Sequence, residues 1–229
     1  MPASAPIGRV APWVYDEQAA QADLDALESL LTTRDELSER EDILPFLRSH
    51  PHLCALIGSY NRRANTQDRP GLEVPLFGQF TADLVSGDSA TRGYTLVEFE
   101  DGRPNSIFVR RAWQRTEWSP RCEHGLSQLT DWLWLLDDQA HTHLFEEIFG
   151  ARPVTARVVL VIGRDRSLTA ADRRRLEWRR DHVIINSQHL YCCTFEELLR
   201  DLRWRALASL GTGEYATVTV CLYLGKSVH

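Results

Sequence analysis

Near the start of the chain, Leu24, Leu27 and Leu31 recur at three- and four-residue intervals with acidic residues between them. That spacing predicts an amphipathic helix from Asp16 to Leu31. A second helical stretch is expected from about Arg34 to Ser49, with Ile43, Leu44, Phe46 and Leu47 as its apolar side. Pro51 ends it and opens a short third helix through Ile57. Asn61 to Gly71 is polar and closes on Pro-Gly, so a loop is expected there. The period then changes. Val74 to Phe80, Asp83 to Val85, Tyr94 to Glu100 and Ser106 to Val109 are short apolar or β-branched runs, separated by Ser86-Gly87-Asp88 and Asp101-Gly102. These predict a small meander.

Further on, a long helix is expected from about Pro120 to Asp138 and a shorter one from about His141 to Phe149. Strands and helices then alternate. Arg157 to Gly163 reads as a strand, Thr169 to Arg180 as a basic amphipathic helix and Val183 to Ser187 as another strand. Thr194 to Ala208 reads as a helix capped by Thr194, and Tyr215 to Leu224 as a closing strand. Helices, a meander and then alternation imply an α/β fold, with a mixed sheet covered by helices on both faces.

With 229 residues, the chain has room for one well-filled core and extra helices rather than two full domains. Its apolar runs are too short to cross a bilayer. Met1 to Trp13 lacks the apolar stretch of a secretion signal. A cytoplasmic location with no membrane partner is therefore expected. The five cysteines are odd in number and scattered without a CxxC, so buried thiols are expected rather than a disulfide framework or a zinc finger. Most tryptophans are expected in the core.

The net charge of −6 ordinarily counts against nucleic-acid binding, so its distribution matters. Asp16 to Asp42 holds ten acidic residues and two arginines. Arg103 to Arg121 holds five arginines against Glu117, and Arg164 to Arg180 holds seven against Asp165, Asp172 and Glu177. Basic segments of this kind permit phosphate binding despite a negative total, although a charge run is more often a solvated helix face. Lys226 is the only lysine, so no lysine is available to a core mechanism.

Candidate chemistry lies on the strand from Tyr94 to Glu100. Side chains alternate along a strand, so Glu98 and Glu100 share a face roughly 7 Å apart. Val97 and Phe99 point the other way. Two carboxylates at the end of so apolar a strand are costly without partners. A divalent cation is one such partner, since Mg²⁺ takes few carboxylates and keeps waters and substrate phosphates as its other ligands. Asp83, on the preceding strand, is placed to meet Glu98 across the hairpin. The plainer alternative is a solvated acidic hairpin tip at Glu98 to Gly102.

Asp83 and Val97-Glu98-Phe99-Glu100 together resemble the D…ExK core of the PD-(D/E)xK nuclease superfamily. The surroundings resemble one member, the Shedu family of defence nucleases. Ile43 to Leu53 is similar to the helix and turn before its core, and Gly125 to Trp132 to its Gln- and Trp-bearing helix. Val158 to Arg164 with Leu168-Thr169, and Thr194 to Leu199, are similar to its later strand and helix. The resemblance covers about residues 36 to 205.

It implies a restriction-endonuclease-like fold over residues 36–210, while the acidic helical extension (1–35) and the C-terminal strand (211–229) lie outside the match. It also implies a metal-dependent endonuclease acting on DNA in bacterial anti-phage defence, using Mg²⁺ or Mn²⁺ and assembled as a homo-oligomer. Asp83 and Glu98 would be metal ligands, Gln128 a neighbour of the site, and Glu41 a possible additional carboxylate. The departure is Glu100, where the pattern carries lysine. A carboxylate there serves as a general base or a third metal ligand, and Arg103 or Arg110 is a candidate for the missing positive charge. The alternative function is a nuclease-fold module that binds DNA or a partner protein without cutting.

Overall fold

A computed structural model describes residues 4–110 and 116–209. Asp16 caps the first helix, α1 (Glu17–Thr33), by accepting the Ala19 N–H at 2.7 Å. Ala20, Leu24, Leu27 and Leu31 form its buried stripe. The next helix starts later than the apolar pattern suggests. Leu37 exchanges two backbone hydrogen bonds with Gly102, which keeps the chain extended until Ser38 caps a π-helical turn, Glu39–Ile43. That turn runs into α2 (Leu44–Ser49). Pro51 begins α3 (Pro51–Ile57), as the proline predicts.

Three antiparallel strands follow: β1 (Arg69–Leu76), β2 (Phe80–Asp88) and β3 (Gly93–Phe99). Two expectations fail here. The expected loop through Gly71 already contains the start of β1. A Cβ at Gly71 would lie 2.3 Å from the Arg9 carbonyl oxygen, so glycine lets the N-terminal segment lie along the sheet edge, where Leu72 bonds Pro6 and Gly8. Ser86-Gly87-Asp88 is strand rather than turn. The turn falls after Asp88, whose carboxylate accepts the N–H groups of Asn65, Thr66, Ala90 and Thr91 at 2.7–3.0 Å.

A ribbon of β4 (Phe108–Arg110) and β5 (Thr116–Trp118) leads into α4 (Pro120–Gln139), capped by Ser119, and then α5 (His143–Phe149). β6 (Thr155–Val161) returns parallel to β3. The capping box of Thr169 and Asp172 starts α6 (Ala170–His182). Beyond it, the expected strand from Val183 to Ser187 is only one leg of a two-residue ribbon, β7 (Ile184–Ile185) with β8 (Gln188–His189). Asn186 and Ser187, at φ of 49° and 59°, turn the chain there. The strand that joins the sheet is β9 (Tyr191–Cys193), parallel to β6. Thr194 then accepts the Glu197 N–H to start α7 (Phe195–Ser209). The expected strand from Tyr215 to Leu224, Trp113 and Cys221 lie outside the described residues.

The sheet order is β1-β2-β3-β6-β9, a mixed five-stranded sheet with helices on both faces and an N-terminal helix, the α/β class expected. On one face Leu96, Leu160 and Cys192 pack with Leu129 and Trp132 of α4. On the other, Val97, Phe99, Val159 and Val161 pack with α1, α3 and α7. A Cβ at Gly125 would meet Leu160 Cδ1 at 2.7 Å, so this glycine sets how closely α4 approaches the sheet. Cys54, Cys122, Cys192 and Cys193 are buried free thiols. Among the described residues, no helix is long and apolar enough to cross a membrane. The tryptophans depart from expectation: Trp132 is fully buried, but Trp134, Trp178 and Trp204 are exposed.

Candidate active site

The antiparallel register pairs Leu84 with Val97, which sets Asp83 beside Glu98 one step further along. Asp83 Oδ2 accepts the Phe99 N–H at 2.8 Å, so the side chain is fixed at the C-terminal end of β3. Glu98 lies on the same side of β3 as Leu96, towards α4. There Gln128 of α4 is the neighbouring side chain that favours its ionised form. Glu98 Oε2 is buried and has no hydrogen-bond partner among the described residues. An orphaned carboxylate oxygen in a packed interior calls for an explanation, and a bound ion is one.

β3 extends its pairing with β6 by one bond, from the Glu100 N–H to the Val161 carbonyl at 2.9 Å. Glu100 is 5% exposed and faces Arg121, in the first turn of α4, whose Nη1 lies 2.6 Å from its Oε2. The other guanidinium nitrogen of Arg121 is 3.4 Å from Asp101. The positive charge beside the lysine position thus comes from Arg121. Arg103 pairs with Asp101 at 3.5 Å, and Arg110 is exposed at the end of β4.

At the N-terminal approach, the expected candidate Glu41 and its neighbour Glu39 differ. Glu41 is exposed, with its N–H bonded to Ser38 Oγ. Glu39 is half-buried instead. Its N–H donates to Asp101 Oδ1 at 2.9 Å, and its charge acts on Asp83, Glu98 and Glu100. Arg121 and Glu39 went unnoticed in the sequence. Both sit next to helix-starting signals, Ser119-Pro120 and Ser38, which orient a first turn towards the end of β3.

The electrostatics follow from burial and like charge. Burial pushes the Asp83 and Glu98 carboxyls well above the usual range, and each is raised further by the other acidic groups. Burial also raises Glu100 and Glu39, opposed at Glu100 by Arg121 and at Glu39 by Arg40. Protons on neighbouring carboxyls of this kind belong to the set rather than to one residue. A raised carboxyl pKa contributes stability at pH values below the ordinary carboxylate range, and that contribution is lost as pH rises through the folded value. Glu98→Gln is therefore expected to stabilise the metal-free protein by about 1–3 kcal/mol at neutral pH. The gain should grow from pH 5 to pH 8 in thermal melts. A variant less stable than wild type across that range would contradict this electrostatic picture.

The donor set suits a hard divalent cation, which binds carboxylate oxygens and tolerates retained waters. Among the described residues, no three His, Cys, Asp or Glu side chains converge on one point, so a cation here would rest on two carboxylates. Compared with known families, residues 36–199, more than half of the chain, match the family described as Shedu protein SduA, C-terminal. No curated protein matches the chain.

Proposed function

The chain belongs to the Shedu family, whose role is in defence, and from that premise we propose that it is a metal-dependent nuclease hydrolysing DNA phosphodiester bonds. The observation that supports this reading is the β2–β3 register, which brings Asp83 and Glu98 together where burial and like charge oppose their ionisation. A cation relieves that conflict, and Mg²⁺ commonly rests on one or two carboxylates with substrate phosphate completing its shell. Asp83 and Glu98 would hold it. When bound, it supplies Lewis acidity to the phosphoryl oxygen and to the attacking water.

The protein's own groups do the rest. Gln128 orients the Glu98 carboxylate. Glu100, held by Arg121, accepts a hydrogen bond from the attacking water and takes its proton, the general-base role open to a carboxylate of raised pKa. Arg121 contributes positive charge beside the phosphate, which lysine supplies in the ExK pattern, but as a guanidinium it serves in binding rather than proton transfer.

The test is incubation of the purified protein with linear and supercoiled DNA in Mg²⁺ or Mn²⁺. Cutting that ceases in EDTA is the expected result. DNA bound but left intact in every form would favour a second reading, a nuclease-fold module that binds without cleavage. The observation on that side is Glu100 itself, a carboxylate in place of lysine with Arg121 bound to it.

A further inference from the structure

On the face of the sheet away from Glu98, three arginines gather around a pair of tyrosines. Arg157 of β6 points to the side of Val159 and Val161, the face covered by α1, α3 and α7. Its register partner on β3 is Thr95. The Arg157 guanidinium carbon lies 5.9 Å from the Tyr191 ring centroid. Arg205 of α7 lies 4.4 Å from the Tyr60 ring centroid, and its Nη1 donates to the Ser59 carbonyl at 2.7 Å. The two tyrosine rings are 5.4 Å apart, which joins the two arginines into one cluster. Arg62, exposed just beyond the turn at Gly58–Tyr60, is the third, and its charge acts on Arg157 together with that of Arg205.

The cluster is short of negative charge. Neither Arg157 nor Arg62 has a side-chain hydrogen bond or an ion pair among the described residues. Arg205 Nε is buried without a partner, as is the neighbouring Ser59 Oγ. Asp201 is the carboxylate at hand, but its Oδ2 is taken by both phenols, accepting from Tyr60 at 3.0 Å and from Tyr191 at 2.5 Å. Burial lowers the pKa of Arg157 and the like charges of Arg62 and Arg205 lower it further, with Tyr191 opposing them. Like charges held together in a half-buried place call for an anion, as crowded carboxylates call for a cation.

We propose that Arg157, Arg62 and Arg205 bind a small phosphate-bearing anion, either inorganic phosphate or the phosphate of a free nucleotide. A guanidinium presents its N–H donors in a planar fork that matches phosphate oxygens, and such charge-assisted bonds are the strong ones. The bound anion ties β6 to α7. Its surroundings favour a small ligand over a DNA backbone. Arg157 is half-buried against Tyr191, and the cluster stands beside the acidic helix α1, whose Asp25 and Glu28 pair with Arg203 of α7. A duplex is held instead by many phosphate contacts along an exposed basic surface. The site is independent of the metal chemistry proposed at Asp83 and Glu98, since Glu98 faces α4 across the sheet.

The test is calorimetric titration of inorganic phosphate, and separately of ATP, into the full chain at constant ionic strength. EDTA is present throughout, so that no cation at Asp83 and Glu98 carries the ligand. Wild type is expected to bind saturably. Arg157→Gln and Arg62→Gln are each expected to weaken that binding roughly 10- to 100-fold, as losing a hydrogen bond to a charged group does. Arg174→Gln removes the same charge from an exposed position on α6 and is expected to leave binding within about twofold. Because Arg62 is exposed, its variant carries the test even where Arg157→Gln does not fold. Equal affinity for the two ligands identifies the phosphate group alone as what is recognised, and tighter binding of ATP identifies a nucleotide. No saturable binding of either ligand would overturn the proposal. So would unchanged binding by Arg62→Gln, or an equal loss in Arg174→Gln. Binding of a DNA duplex that depends on Arg62, with neither small anion bound, would also overturn it and make the cluster a DNA-backbone contact.

Discussion

Replacing Glu98 with alanine is expected to lower metal-dependent DNA cleavage by about 10³-fold or more while leaving the protein folded. The magnitude follows from what the residue holds. Each tenfold in rate is about 1.36 kcal/mol, and the charge stabilisation a cation gives a phosphoryl transition state is several kcal/mol. Losing one of two carboxylate ligands removes most of it. Folding should survive, because burial and the neighbouring carboxyls already oppose the ionised side chain. Glu41→Ala, at an exposed position, should cut within about twofold of wild type, since removing a solvent-exposed side chain that holds no ligand leaves the barrier unchanged. Equal cutting by wild type and Glu98→Ala would place the chemistry elsewhere.

Arg164→Ala is expected to cost stability rather than chemistry, by about 3–5 kcal/mol. Arg164 is 1% exposed and lies just beyond β6, between α1 and α7. Its Nε is 2.7 Å from Glu196 Oε1. Its other nitrogens donate to the carbonyls of Leu31 and Arg34, which end α1. Truncation would leave the Arg34 carbonyl without this donor and a carboxylate without its counter-charge, and such breaks are far costlier than the intact pair is stabilising. For a chain of this size the melting temperature should fall by roughly 6–20 °C. Arg203→Ala also releases α1, from Asp25 and Glu28, but those partners face solvent and the shift should be much smaller. A loss no larger for Arg164→Ala than for Arg203→Ala would show that the buried clamp does not hold α1 to the core.

The parts of the fold legible in the sequence were those governed by local signals. The leucine stripe marks α1, Pro51 marks α3, Pro120 marks the start of α4, and Thr194 marks α7. The alternation of β3 put Glu98 and Glu100 on one face, and the hairpin put Asp83 within reach. Illegible features depended on contacts distant in sequence. Ser86-Gly87-Asp88 has the composition of a turn, but Asp88 is held by Asn65 and Thr66 and stays in the strand. β9 is only three residues long and exists because β6 offers it an edge. Glu39 and Glu41 are equivalent in composition, and only the pairing of Leu37 with Gly102 turns the first inward. Trp178 looked like core because tryptophan usually is, but α6 is anchored mainly by Leu176 and leaves the indole outside.

The central proposal is that Asp83 and Glu98 form a divalent-cation site whose carboxyls resist ionisation and share a proton until the ion arrives. The most direct measurement is a calorimetric titration of Mn²⁺ into wild type and Glu98→Gln near pH 7, repeated in buffers of different ionisation enthalpy. The expected result is saturable uptake by wild type with release of about one proton per ion, and its loss in the variant. No saturable uptake by wild type, or the same uptake by Glu98→Gln, would contradict the claim.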